Sequence, residues 1–201
     1  MPRSSAPPSP TPERSARRLR RLRAHARTSL LAGLSALLLC TSTAFADGPL
    51  GAAEEYRLKA AFLFNFASFA TWPGTAEDAK LALCVYGEDP FGAHLDALEG
   101  RQAGKRSVQV QRVHSVDALD GCEMVFVTRP MIGNLARVLD RIGQRAVLSV
   151  ADSPGALDAG VMLNMDSSSG RISFAANLAA ARRQGIALSA RLLKLATEVR
   201  Q

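Results

Sequence analysis

The sequence predicts a single α/β domain, with a mostly parallel sheet, helices on both faces and a C-terminal β-hairpin plus helix. Three observations support this class. Runs rich in apolar and β-branched residues recur at 81–86, 107–113, 123–127 and 146–150, separated by stretches with helix start or stop signals. The 146–150 run is apolar almost throughout, the pattern of a strand buried on both faces. Lastly, Asp166-Ser-Ser-Ser-Gly170 separates two short strand-like segments, 161–165 and 171–175, which reads as a hairpin.

The elements follow in order. An opening helix is expected over 51–70, because Leu58, Phe62, Phe66 and Phe69 recur at i, i+4, i+8 and i+11 and line one helical face. Trp72-Pro73-Gly74 ends it. Four of the seven phenylalanines beyond residue 46 lie between 62 and 69. Leu63 and Phe64 fall off the main stripe, so these two and Trp72 form the candidate partner surface; packing of the patch against a sheet is the plainer alternative. After the 81–86 strand, Asp89 is read as an N-cap with Pro90 at the first helical position, opening a helix through Leu98 and Glu99. A helical turn is expected at 116–119 between the 107–113 and 123–127 strands. Pro130 opens a helix to about Ile142, which Gly143 stops. The end reads as helical, with Leu188, Leu192, Leu195 and Val199 on one stripe.

Net charge has an informative position along the chain. The formal +7 equals the excess within residues 1–46, where eight arginines face the single acid Glu13; the remaining 155 residues balance 17 basic against 17 acidic side chains. That part therefore carries no electrostatic footprint for nucleic acid. The first segment continues with an apolar block, Leu30 to Cys40, and then Ala44-Phe45-Ala46. A basic region, an apolar core and a small-x-small site together read as a signal peptide, 1–46, cleaved after Ala46. The block falls short of the ~20 residues of a spanning helix, so no stable membrane insertion of the 47–201 domain is expected.

Export leaves two cysteines, Cys84 and Cys122, each in or beside a predicted strand. In an oxidising compartment an even pair is read as a disulfide. A structural staple is the main reading; a redox-responsive bond and two free thiols are the alternatives. Elsewhere the search for chemistry returns little. His94 and His114 have no companions at metal-ligand spacing, so no metal site or cofactor is expected. Gly87-Glu-Asp-Pro-Phe-Gly92 lacks the lysine and spacing of a phosphate loop, and Ser167–Ser169 lack a nucleophile-elbow context. Arg182, Arg183, Arg191 and Lys194 form a basic face on the last helices. No nucleophile, base and oxyanion donor assemble, and an enzyme is not expected.

Several strings resemble the YfiR family of periplasmic proteins. They are the segment from Tyr56 to Pro73, Leu83-Cys84-Val-Tyr-Gly-Glu-Asp-Pro-Phe-Gly92, Gly121-Cys122-Glu-Met-Val-Phe-Val127, Val147–Asp152, Arg171–Leu178, Ala180–Arg182 and Leu192–Ala196. Their joint order covers about 54–199. The resemblance implies a Rossmann-like domain without catalysis that represses a membrane-bound diguanylate cyclase by binding its periplasmic region. It further implies a homodimer and a disulfide matching Cys84 and Cys122. A second disulfide of some members has no counterpart here, and the usual paired glycine is Ala159-Gly160. The expected protein is thus a periplasmic, non-enzymatic regulator of cyclic-di-GMP and biofilm formation. The alternative is a periplasmic small-molecule binding module with its ligand at the carboxyl ends of the strands.

Overall fold

The computed structural model describes residues 51–74, 79–143 and 145–201; the expected signal peptide lies outside the described residues. The chain enters through helix α1 (Ala52–Phe69), with Glu54 and Glu55 in its first turn, where acids complement the helix dipole. Then come β1 (Ala70–Thr71), β2 (Leu81–Tyr86), α2 (Ala93–Asp96), β3 (Gln102–Ala103), β4 (Arg106–Val113) and β5 (Met124–Val127). The second half contains α3 (Leu135–Ile142), β6 (Leu148–Ala151), β7 (Leu163–Asp166), β8 (Ser173–Asn177), α4 (Leu178–Arg183), β9 (Ala187–Leu188), α5 (Ala190–Leu193) and β10 (Glu198–Arg200). Short 3-10 turns at Asp117–Gly121 and Arg129–Asn134 precede β5 and α3.

Eight strands form the main sheet in the order β10-β8-β7-β6-β5-β2-β4-β3. The central run from β4 through β2, β5 and β6 to β7 is parallel. The hairpin β7–β8 is antiparallel, with Leu163 opposite Ala176 and Asp166 opposite Ser173. β1 and β9 make a separate two-stranded ribbon. Alternation along each strand divides the core between the two faces. Leu81, Leu83, Val85, Met124, Phe126, Leu148 and Val150 pack with α1, whereas Cys84, Tyr86, Val125, Val127 and Ala151 pack with Leu135, Val138 and Ile142 of α3. The expected mixed α/β architecture with helices on both faces is the one observed.

Two elements differ from expectation. The helix foreseen after Asp89-Pro90 shrinks to α2, because Asp89 accepts from the Phe91 amide at 2.7 Å and Gly92 takes φ +53° inside the would-be first turn. At the C-terminus, the helix expected through Val199 stops at Leu193, and the chain ends instead as a strand. Glu198, Val199 and Arg200 pair in parallel with Ala175, Ala176 and Asn177, and the Thr197 amide and hydroxyl both donate to the Phe174 carbonyl. The open edge of β8 offered backbone partners that a surface helix would have left unused. Leu195, expected on the apolar stripe, is 67% exposed.

Candidate functional site

α1 lies with its first turns over the carboxyl ends of the central strands, and this placement builds the most heavily charged buried feature of the domain. Lys59 is wholly buried, and its ammonium meets Asp152, also wholly buried, at 2.5 Å. The same ammonium is paired with Glu55, one turn back on α1, and lies 4.7 Å from the Tyr56 ring centroid. Arg129, just past β5, closes the ring. Its Nε donates to the Asp152 carbonyl at 3.1 Å and stands 3.2 Å from Asp152 Oδ2, while Nη2 reaches Glu55 at 3.3 Å. The Ser167 hydroxyl donates to Glu55 at 2.9 Å. Two cations and two carboxylates thus compensate one another, the condition for burying charge at all.

Titration follows from these contacts. Burial opposes ionisation of Glu55, but bonds from Lys59 and Ser167 and the charges of Lys59 and Arg129 outweigh it, so the carboxyl lies below its ordinary value. Asp166 is also lowered, first by the Ser168 hydroxyl and then by the Ser168 amide. Burial raises the Tyr56 phenol, with the Asp152 charge adding to it.

The chain steps from β2 to β4 on one side and later places β5 on the other, so the topological switch point lies between β2 and β5. Ligands commonly bind at such a crevice. Here it is filled. Gly87 follows β2 at φ +108°, and an added Cβ would come within 2.4 Å of Thr128 Oγ1 and 2.5 Å of Met131 Cγ. Thr128 in turn donates to the Tyr86 carbonyl at 3.0 Å. Open space lies further along, at the ends of β5, β6 and β7, in a groove of about 570 Å³ whose lining includes Arg129, Asp152, Ser153, Asn164, Asp166 and Ser167. At the opposite, amino ends of the strands, Arg106 pairs with Glu123 at 2.6 Å and the Trp72 indole donates to the Glu123 carbonyl at 3.0 Å.

The residues singled out from the sequence divide as follows. Cys84 and Cys122 form a disulfide with Cα atoms 5.8 Å apart, on the α3 face of the sheet. Leu63 is a correction: it is 0% exposed and belongs to the core. α1 packs on the sheet through Ala60, Leu63, Phe66 and Ala67, because small alanines allow close approach, while Phe62 and Phe69 flank that line and are only partly buried. Trp72 is also buried, 8% exposed and held by its indole bond. Phe64 alone of the three remains half-buried, with the Arg101 guanidinium 4.0 Å from its ring centroid. Arg182, Arg183, Arg191 and Lys194 are exposed as expected of a solvated face, and Arg191 lies 5.4 Å from the Phe69 ring. The Lys59–Asp152 pair was missed from the sequence. Its signal was a Glu55–Lys59 spacing whose lysine falls on the same face as Leu63 and Phe66. Among the described residues, no cluster of three or more His, Cys, Asp or Glu could hold a metal ion, and no helix is long and apolar enough to cross a membrane.

Comparison with known proteins adds the following. A conserved domain protein from Vibrio cholerae O1 biovar El Tor matches with a TM-score of 0.51 at 10% identity, over 72% of this chain and 60% of that one. The structure described as an ABC domain in complex with L-Trp, from Streptococcus pneumonia, matches with a TM-score of 0.50 at 10% identity and the same coverages. At that identity both likenesses concern the fold alone, and this chain spans only 60% of their length. No curated protein sequence matches. A family profile described as YfiR/HmsC-like does match, from residue 56 to residue 197, which takes in every central strand and the disulfide. The chain belongs to the YfiR/HmsC-like family, a family of periplasmic regulators.

Proposed function

We propose that the protein is an exported, non-enzymatic regulator that binds the periplasmic region of a membrane signalling protein, a diguanylate cyclase, and represses it. The observation that carries this reading is the family match across nearly the whole α/β domain. The even charge of residues 47–201 supports recognition by shape and apolar contact rather than by a charged field. Of the surface first considered, Phe64 under Arg101 is the member that stays within reach of a partner. The regulator acts as a homodimer without a cofactor, and it contacts neither nucleic acid nor the membrane interior. Deleting the gene raises cyclic-di-GMP and biofilm formation on this account. Unchanged levels of both would refute repression of a cyclase.

A second reading, a small-molecule binding module, is favoured by one observation. The groove lies at the carboxyl ends of parallel strands, beside buried charges, where α/β folds place ligands.

A further inference from the structure

We propose that the groove at the carboxyl ends of β5, β6 and β7 binds a small organic ammonium compound, a primary amine bearing a hydroxyl group. The proposal rests on the small-molecule reading and is independent of the cyclase. Two observations carry it.

The first is a pair of unused polar atoms. Asp152 and Ser153 line the groove and are 3% and 4% exposed, yet Asp152 Oδ1 and Ser153 Oγ have no hydrogen-bond partner. Buried oxygens of this kind are uncommon in native structures and call for an occupant. They are also held in place. Asn164 accepts from the Ser153 amide at 3.2 Å and donates to its carbonyl at 3.1 Å, while Lys59 and Arg129 fix the other carboxylate oxygen of Asp152.

The second is the charge balance. Lys59 and Arg129 are matched by Glu55 and Asp152, which leaves Asp166 as the lining carboxylate outside these ion pairs, with the Arg129 charge acting on it only from a distance. The Ser168 amide and hydroxyl donate to it, and the Ser167 amide adds a weaker backbone contact. A carboxylate so held stays ionised at neutral pH, and the lining then carries one negative charge in excess. A second anion is disfavoured there. A primary ammonium supplies up to three N–H donors, which suits the exposed Asp166 carboxylate, while reaching the Asp152 and Ser153 oxygens, which have almost no accessible surface, requires the groove lining to open slightly. The groove volume of about 570 Å³ falls within the ~300–1,000 Å³ typical of small-molecule sites. Because Asp152 also anchors Lys59, an occupant here touches the same carboxylate that holds α1 in place.

The test uses the protein purified from the periplasmic fraction, titrated with ethanolamine as probe and with acetate and ethylene glycol as controls. Calorimetry is expected to give saturable binding of ethanolamine and none of acetate. Asp166→Asn is expected to weaken ethanolamine at least about tenfold, the scale of one charge-assisted contact. Amide chemical shifts of Ser153 and Asn164 in the unaltered protein should move during the titration, which locates the site even if the variant is poorly folded. No saturation, preference for acetate, an unchanged Asp166→Asn affinity, or stationary Ser153 and Asn164 amides would each overturn the proposal. None of these results bears on cyclic-di-GMP levels in a deletion strain, so this failure is distinguishable from failure of the regulatory reading.

Discussion

Replacing Lys59 by Met keeps an unbranched side chain, one heavy atom shorter, and removes the ammonium with its charge and its hydrogen bonds to Glu55 and Asp152. Asp152 then stays wholly buried and loses its 2.5 Å partner, with Arg129 Nε at 3.2 Å as the remaining cation. Removing one member of a buried pair costs about 3–5 kcal/mol, because the other charge is left uncompensated. The surviving Arg129 contact places Lys59→Met near the lower bound, about 3 kcal/mol. For a domain of this size that corresponds to a melting temperature roughly 6–12 °C lower. The partner change separates charge from packing. A double variant, Lys59→Met with Asp152→Leu, exchanges the pair for apolar contacts and should regain about 2 kcal/mol of the loss. Urea and thermal unfolding of the three proteins measure this directly. A loss below about 1 kcal/mol for Lys59→Met, or strictly additive losses in the double variant, would refute the claim that a desolvated ion pair anchors α1.

Other outcomes are equally specific. Leu63→Ala should cost about 2–5 kcal/mol by chemical unfolding, as for a leucine lost from a packed core, whereas a solvent-facing Leu63 would leave stability unchanged. Opening the Cys84–Cys122 bond, which closes a loop of 38 residues, should lower stability by about 3–4 kcal/mol on the chain-entropy estimate; equal unfolding midpoints with and without reductant would contradict this. Glu55 has a lowered folded-state pKa, so its contribution is complete above the ordinary carboxylate value and is lost as pH falls through the folded value. Melting curves should show this acid loss reduced in Glu55→Gln, and an identical pH profile for the two proteins would count against it.

Much of the fold was legible because its signals are local. The β2 boundaries, Leu81 to Tyr86, agree with the sequence pattern, since a central strand packed on both faces must be apolar throughout. The cysteine pair was legible from compartment and strand placement together. Leu63 was misplaced for a physical reason: periodicity counted the large phenylalanines, but a helix lying close to a sheet turns its small residues, Ala60 and Ala67, towards it. The C-terminal strand was hidden because pairing with β8 is a long-range gain that overrides a helical spacing of leucines. Lys59, Arg129 and Asp152 stand far apart in sequence and meet only when α1 crosses the strand ends. No spacing rule brings such residues together; the topology does.

The central claim, contact with a membrane signalling protein, is tested most directly by cross-linking in intact cells. The exported protein carrying an affinity tag is cross-linked, recovered from solubilised membranes and its adducts identified by mass spectrometry. The account predicts a diguanylate cyclase joined through its periplasmic region, with the yield reduced by substitution at Phe64. Recovery of the protein with no membrane signalling protein attached, at an expression level where its own dimer is captured, would contradict it.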